Sequence, residues 1–188
     1  MTCPAHALAA SRNRLTQEDV NCIRSLSSKL SPNAIVADVG AGSGTTALSV
    51  FAERDGDIKI ISVDNDETEL HWATQAVKNI GKEEFFSPIF ADAIEAAKQF
   101  RSFYFDMLLV DISFNVREIL TAWLPKLKAG APVWIHDYGN PRDFGINQDP
   151  AIEVKLAVDK LLKADKLDNG RVAGLAWYGI KPSRKRKK

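Results

Sequence analysis

Cysteine is scarce in this chain, which has only Cys3 and Cys22 among its 188 residues. Two cysteines at this spacing exclude a disulfide framework and match no metal-binding cysteine pattern. Long hydrophobic runs are also missing, because no stretch approaches the roughly 20 apolar residues that cross a membrane. The opening MTCPAHALAA lacks the basic start and apolar run of a secretory signal. We therefore expect a soluble, cytoplasmic protein with no membrane partner.

The chain has almost no excess of either sign of charge, since its formal net charge is +1, but the charged residues are unevenly distributed. Six of the 25 basic residues lie in the ending KPSRKRKK, and the rest of the chain carries 24 acidic against 19 basic side chains. Such a tail is typically solvated, and a contact with nucleic acid is the alternative. We predict a loose terminus over 1–14, one domain over 15–182 and a disordered basic tail over 183–188.

Apolar strand-like runs alternate with helix-like segments along the whole chain, without internal repeats. The predicted strands cover 34–39, 58–63, 86–90, 105–110 and 131–135, and 171–180 forms one more strand or a hairpin. Thr16, Asp66 and Asp92 are placed to cap the helices that follow them. Five alternations predict an α/β fold with a Rossmann-like, doubly wound parallel sheet. Ligands of such sheets bind beyond the carboxyl ends of the strands.

The loop after the first predicted strand, VADVGAGSG, contains three glycines in five positions. Gly42, Gly44 and Ala47 fit the dinucleotide pattern G-x-G-x-x-G/A, and Asp64 lies where a ribose-binding acid is expected. Asp38 argues against a dinucleotide, because its carboxylate at the strand end would repel a pyrophosphate. S-adenosylmethionine has no phosphate and carries an ammonium group that this carboxylate would balance.

The candidate cofactor-binding residues are assigned by chemistry to the parts of S-adenosylmethionine. Glycines in the loop let the backbone approach the methionine part. Asp64 would accept hydrogen bonds from both ribose hydroxyls, and Asp92 from the adenine amino group beside the Ala93 backbone. A helix cap is the alternative role for Asp92. The full predicted set is Asp38, Gly40, Ala41, Gly42, Ser43, Gly44, Asp64, Asn65, Asp92, Ala93 and Asp111.

Five stretches resemble the class I S-adenosylmethionine-dependent methyltransferases, in the order of that family. They are VADVGAGSG, IISVDND, FADA, FDMLLVD and LKAGAPVWIHDY. The last two are most similar to bacterial small-molecule and sugar O-methyltransferases. The resemblance implies seven strands with the last antiparallel, and a small-molecule acceptor.

Two departures from that group concern its metal. Some relatives hold a magnesium ion with acidic residues at the ends of the fourth and fifth strands. Here Ile112-Ser113-Phe114 follows Asp111 where Gly-Asp-His is usual, and His136 replaces an acidic residue. Two carboxylates, Asp111 and Asp137, are a thin ligand set for a hard cation. The sequence therefore predicts no metal site.

Asp111 and His136 are the predicted catalytic residues, because both follow strands at the ligand edge. A histidine with an ordinary pKa of about 6.5 suits a general base at neutral pH. The alternative is a histidine hydrogen-bonded beneath the loop. Asp137, Tyr138 and Arg142 are the predicted substrate-binding residues, in a loop long enough to cover a ligand.

Several functions remain open at this point. O-methylation of a small molecule or sugar is favoured by the WIHDY ending. An RNA or protein methyltransferase would use the basic tail for docking. A non-catalytic cofactor-binding module would explain Ile112-Ser113-Phe114, and a dehydrogenase is a minor fourth possibility. The Asn-Pro-Pro-Tyr motif of amino-group methylases is absent after the fourth strand, which disfavours methylation of DNA adenine.

Overall fold

Seven strands form one sheet in the computed structural model, which describes residues 15–54, 57–112, 114–138 and 150–183. The strands are β1 (Ala34–Val39), β2 (Ile58–Asp64), β3 (Phe86–Phe90), β4 (Met107–Val110), β5 (Pro132–Ile135), β6 (Asp168–Ala173) and β7 (Ala176–Ile180). The predicted loose terminus 1–14 and the tail residues 184–188 lie outside the described residues, so the domain boundaries stay predictions.

The helices are α1 (Gln17–Ser27), α2 (Thr45–Phe51), α3 (Glu67–Lys78), α4 (Ala93–Lys98), α5 (Val116–Trp123) and α6 (Pro150–Lys163), with short 3-10 turns at Glu83–Phe85 and Leu124–Lys126. Pro125 lies in the second 3-10 turn, directly after α5, because its ring cannot continue the α-helical hydrogen bonding. None of the helices in these described ranges is long and apolar enough to span a bilayer.

The strand order is β3-β2-β1-β4-β5-β7-β6. The pairs among β1 to β5 are all parallel, whereas β7 runs antiparallel to both of its neighbours. This confirms the predicted mostly parallel sheet with an antiparallel last strand, and the ambiguous segment 171–180 proves to be a hairpin. The strand order reverses between β1 and β4, so their carboxyl ends open the crevice in which ligands of such sheets bind.

Both faces of the sheet are buried, which explains why its central strands read as continuous apolar runs. In β4, Leu108 and Val110 pack into the core layer beneath α4, α5 and α6. Met107 and Leu109 point the other way, into the layer beneath α1, α2 and α3. All four are fully buried, because successive side chains of a strand alternate between the faces.

The three predicted helix caps are confirmed. Asp66 accepts hydrogen bonds from the backbone of Thr68 and Glu69 at the start of α3. Asp92 caps α4 in the same way. Thr16 and Asp19 form a reciprocal capping box at the start of α1. The first two caps immediately follow strands, so the chain turns from strand to helix at the ligand edge.

The turn between β6 and β7 contacts the start of α1. Leu175 donates its backbone N–H to Asp19 Oδ1 over 3.0 Å. Gly174 has a φ of +58°, and a Cβ there would lie against Thr16 Oγ1 and 2.6 Å from Asp19 Oδ1. A glycine at 174 is therefore required both by the backbone conformation and by the space that the capping box occupies.

Gly174→Ala is expected to destabilise the protein more than Gly81→Ala. Gly81 also has a positive φ, of +67°, but a Cβ there meets nothing within 4 Å. The control should therefore show only the conformational penalty, about 1–2 kcal/mol, and Gly174→Ala should lose about twice as much. Urea unfolding of both variants measures the difference. Equal losses would show that the turn does not press on the capping box.

Candidate active site

The glycine loop begins where β1 ends, at the point where strand order reverses. Gly40 and Ala41 donate their backbone N–H groups to the carbonyl of Val63, at 2.9 and 3.1 Å. Gly40 has a φ of +83°, and a Cβ there would lie against the carbonyl oxygen of Asp111 and 2.7 Å from Ile112. The loop after β1 can therefore approach the loop after β4 only with glycine at this position.

Asp38 lies beneath this loop rather than in the open cleft. Its side chain is fully buried and accepts hydrogen bonds from Thr46 Oγ1 and Ser62 Oγ, both at 2.7 Å. Burial raises the pKa of Asp38 to about 7, although both hydroxyls favour the charged form, and nearby Asp111 and Asp64 raise the pKa further. The carboxylate thus ties α2 to β2. Because both oxygens are turned to these hydroxyls, the position favours balance of an ammonium group through water rather than by direct contact, and the predicted role stays a prediction.

Asp64 joins two of the loops that surround the cleft. Its Oδ2 accepts from the backbone of Gly42 at 2.8 Å, and its Oδ1 accepts from the backbone of Asp66 at 2.9 Å. Each carboxylate oxygen has a second lone pair, so these bonds do not prevent a ligand hydroxyl from binding. The predicted ribose contact remains a prediction, and the geometry is compatible with it.

A cleft of about 220 Å³ opens between the loops after β1, β2, β3 and β4. It brings together six predicted residues: Gly40, Asp64, Asn65, Asp92, Ala93 and Asp111. It also has an apolar wall that the sequence did not reveal, formed by Val63, Ala91, Ile94, Ile112, Phe114 and Ile119. In the sequence alone, apolar residues near strand ends are equally consistent with a buried core. The available signal was Ile112 and Phe114, placed after a strand where polar residues were expected.

The cap at Asp92 fixes one side of this cleft. Both capping bonds use Oδ1, so the cap does not require Oδ2. The carbonyl of Ala93 accepts a hydrogen bond from Trp123 Nε1 at 2.9 Å, which fastens the start of α4 to α5. The backbone and side chain predicted to meet an adenine ring are therefore held in place without a ligand.

A second, small cavity shares Asp111 with the cleft and contains the rest of the glycine loop. Ala41, Gly42 and Ser43 line it together with residues of α2. Ser43 Oγ is buried and has no hydrogen-bond partner among the described residues. An unpaired buried hydroxyl is costly, and a polar group of a bound ligand would satisfy it. Apart from the buried Asp38, the predicted residues that line the cleft and this cavity are compatible with an amino-acid-bearing nucleoside.

Asp111, His136 and Asp137 meet at the ends of β4 and β5. His136 Nδ1 lies 2.9 Å from Asp111 Oδ1 and 3.3 Å from Asp137 Oδ1. Burial alone would lower the pKa of His136, but attraction to Asp111, together with contacts to Asp19 and Asp137, raises the pKa to about 10. A doubly protonated ring has no lone pair to take a proton. The predicted general-base role of His136 therefore does not suit its surroundings at neutral pH.

The predicted substrate-binding residues separate in the structure. Asp137 stays beside His136, whereas the hydroxyl of Tyr138 donates to Asp159 Oδ1 at 2.9 Å and accepts from Lys155 at 3.2 Å. Tyr138 therefore fastens the end of β5 to α6, and its expected contact with substrate stays a prediction. Arg142 lies outside the described residues, so its role stays a prediction.

One atom from each of Asp111, His136 and Asp137 lies within 4.8 Å of the others, close enough to be considered for a metal ion. The donor set is two carboxylates and one imidazole nitrogen. Magnesium prefers an octahedron of oxygens, and this nitrogen is already in contact with both carboxylates. The corner therefore does not fit the magnesium of related enzymes.

Asp38→Asn is expected to become more stable relative to the wild type as the pH rises. The folded pKa of Asp38 is raised to about 7 from 3.8, so its contribution to stability is present below about pH 3.8 and is lost as the pH passes 7. An asparagine amide accepts from one hydroxyl, donates to the other and stays neutral. Urea unfolding at several pH values should show a gain of roughly 2–4 kcal/mol for the variant. A difference that does not change with pH would contradict the raised pKa.

Solved structures of the same fold cover nearly the whole chain at low sequence identity. A Staphylococcus aureus protein, provisionally assigned as a caffeoyl-CoA O-methyltransferase, is 17% identical over 96% of this chain and 92% of its own, with a TM-score of 0.79. The Bacillus cereus O-methyltransferase in complex with SAH is 10% identical over 94% and 88%, with a TM-score of 0.75. A Clostridium thermocellum protein, provisionally assigned as an rRNA methylase, is 10% identical over 88% of this chain and 98% of its own, with a TM-score of 0.67.

These likenesses establish the fold, and the family rests on a separate match. A comparison with curated protein sequences finds no significant match. A family profile described as a methyltransferase domain matches residues 37–138, more than half of the chain, from the glycine loop to the end of the Asp111–His136–Asp137 corner. The chain therefore belongs to this methyltransferase family, and it is a class I S-adenosylmethionine-dependent methyltransferase.

Proposed function

We propose that this methyltransferase transfers the methyl group to a hydroxyl of a small, uncharged acceptor. The observation that carries the proposal is the position of Asp111, which lines both the cleft and the small cavity beside the glycine loop. Its side chain retains 23% exposure, so it is accessible from the ligand side. A carboxylate at this junction suits an acceptor that must lose a proton.

The charge of the corner supports an uncharged acceptor. Asp111 and Asp137 are both partly exposed, at 23% and 33% of their side chains, and the buried imidazole of His136 lies against both. A phosphorylated or carboxylated acceptor would be repelled there. Hydroxyl groups would donate hydrogen bonds to these oxygens and would be oriented by them.

The cofactor is expected to occupy the cleft and the adjoining cavity. Asp64 and Asn65 would hold the ribose, Asp92 and the Ala93 backbone the adenine, and Ser43 with the loop backbone the methionine part. When bound, S-adenosylmethionine supplies an activated methyl group. The chain then contributes mainly alignment, which alone is worth roughly 7–11 kcal/mol in favourable cases.

Asp111 is the residue that we assign to proton acceptance from the hydroxyl. His136 Nδ1 lies 2.9 Å from its Oδ1, and Asp111 lines the cleft with 23% of its side chain exposed. A positioned base contributes about 10²- to 10⁴-fold to the rate. The apolar wall beside it, including Ile112 and Phe114, would exclude water from the reacting atoms.

The competing hypotheses have less support. Under the hypothesis of a non-catalytic module, Ile112 and Phe114 mark a site without turnover, but both line the cleft and therefore have a use as its wall. The tail that would dock RNA lies outside the described residues, so nothing about its position favours that acceptor.

Asp111→Asn is expected to lower methyl transfer at least about 10²-fold while binding of S-adenosylhomocysteine stays within a few-fold of wild type. Labelled S-adenosylmethionine would be incubated with pools of uncharged polyols and phenols, of phosphorylated metabolites, and of RNA. Label should enter the uncharged hydroxylated pool. Calorimetric titration with S-adenosylhomocysteine, and with NAD as a negative control, measures cofactor binding separately.

Asp106→Asn is the matched control. Asp106 lies at the opposite end of β4, where it accepts from the backbone of Ile35 and from Lys128. Asp106→Asn makes the same chemical change at the other end of the same strand, and this variant should keep the turnover of the wild type. Label in RNA alone would refute a small-molecule acceptor, and full activity of Asp111→Asn would refute the role of Asp111.

A further inference from the structure

Asp19 is more deeply buried than its capping role requires. Its side chain is fully buried at the start of α1, where Oδ2 accepts from Thr16 N and Oγ1 at 2.8 and 2.7 Å. Its Oδ1 accepts from Leu175 N in the β6–β7 turn. Capping acids normally remain in contact with water, and a buried carboxylate is costly unless it is paired with a positive charge. The positive partner in this position is His136.

His136 is placed so that carboxylates face both of its ring nitrogens. Nε2 lies 3.7 Å from Asp19 Oδ2, and Nδ1 lies 2.9 Å from Asp111 and 3.3 Å from Asp137. Among the described residues, neither nitrogen makes a hydrogen bond of good geometry, so these contacts are ion pairs only when the ring is protonated. A neutral imidazole has one N–H and would turn a lone pair towards a carboxylate, whereas an imidazolium has an N–H on each side.

The stacking of the ring favours the same charge. Trp134 lies on β5 and His136 directly follows the end of that strand, two residues on, so their side chains point to the same side. Their rings stack with centroids 5.5 Å apart and an angle of 19° between planes. The face of an indole attracts a cation. A positive ring is therefore favoured by its edges and by its face.

We propose that Asp19 is a positioning residue that holds His136 as a buried cation between Asp111 and Asp137, so that this corner carries its own positive charge and needs no divalent metal ion. The imidazolium supplies the positive charge that a metal ion would otherwise bring to these carboxylates. One positive charge facing three carboxylates keeps Asp111 and Asp137 together without cancelling the negative charge on the ligand side. The benefit for methyl transfer rests on the proposed function, whereas the charge of the ring does not.

The pKa directions agree with this arrangement. Burial alone would raise the pKa of Asp19, but contacts with His136 and Thr16 hold it below its ordinary value. The pKa of His136 is raised, as described above, by Asp111, Asp19 and Asp137. These three carboxylates, from α1 and from the ends of β4 and β5, are the charged groups that face the ring among the described residues.

The test is ring-nitrogen NMR of the full-length protein, which has only three histidines. In the wild type, His136 should show two nearly equivalent protonated nitrogens up to about pH 9. Asp19→Asn should make the ring lose its proton at least tenfold more readily, which lowers the titration midpoint by about one pH unit or more. Asp19→Glu, which keeps the charge, should restore part of the shift.

Thr16→Ala is the matched control for damage to the helix start. It breaks the same capping box but leaves the carboxylate of Asp19 facing His136, so its midpoint should equal that of the wild type. A neutral His136 at pH 7 in the wild type, or equal shifts in Thr16→Ala and Asp19→Asn, would overturn the positioning role. Neither result depends on turnover, so each is distinct from a failure of the proposed methyl transfer.

A second arm tests the metal directly on the same protein. Calorimetric titration with MgCl₂ and ZnCl₂ should give no saturable heat, and MnCl₂ should not selectively broaden the His136 signals. Methyl transfer to the first acceptor found should persist in excess EDTA. Saturable binding that disappears in Asp137→Asn would show that the corner is a metal site and would overturn the proposal.

Discussion

Like charges crowded at one edge of a sheet repel one another, and the arrangement of this site follows from how that repulsion is relieved. Five aspartates stand at the carboxyl ends of successive strands: Asp38, Asp64, Asp92, Asp111 and Asp137. Hydroxyls surround the first, and backbone N–H groups satisfy the second and third. The last two share His136. Charge is thereby neutralised inside the protein, while exposed oxygens remain on the ligand side.

The aspartates in the two halves of the crevice are stabilised in different ways. Asp64 and Asp92 are held by backbone groups, and such contacts are insensitive to the side chains around them. This half is the one proposed to hold the cofactor. The corner at Asp111 and Asp137 instead depends on side chains from distant segments, including Asp19. We therefore expect single substitutions to alter the charge of this corner more readily than that of the cleft.

Much of this architecture could be predicted from the sequence because its signals are local. Helix caps at Asp66 and Asp92, the buried parallel strands and the glycine loop each depend on a few adjacent residues. The cofactor cleft followed from the rule that strand ends meet at one edge. The position of Asp38 could not be inferred in this way, because the same strand-end aspartate can point up into the cleft or down between two hydroxyls.

The charge of His136 was hidden for a related reason. The carboxylates around His136 lie at the start of α1 and at the ends of β4 and β5. The local sequence of any one of these segments does not reveal that the other two lie beside it. Asp19 was visible only as a helix cap, since its second role requires the fold to bring α1 beside the end of β5. The bonds of Tyr138 to Lys155 and Asp159 were also not visible in the sequence, because both partners lie on a helix beyond a long loop. Contacts between charged or polar side chains from distant segments could therefore not be inferred from the sequence.

The bond between Leu175 and Asp19 also sets an order of events during synthesis. It joins residues 156 positions apart, so the ribosome has released most of the chain before the partner of this carboxylate exists. The parallel strands can pair earlier, but the β6–β7 turn that covers Asp19 is synthesised after them. A chain without this hairpin would therefore leave the buried Asp19 carboxylate without one of its hydrogen-bond donors.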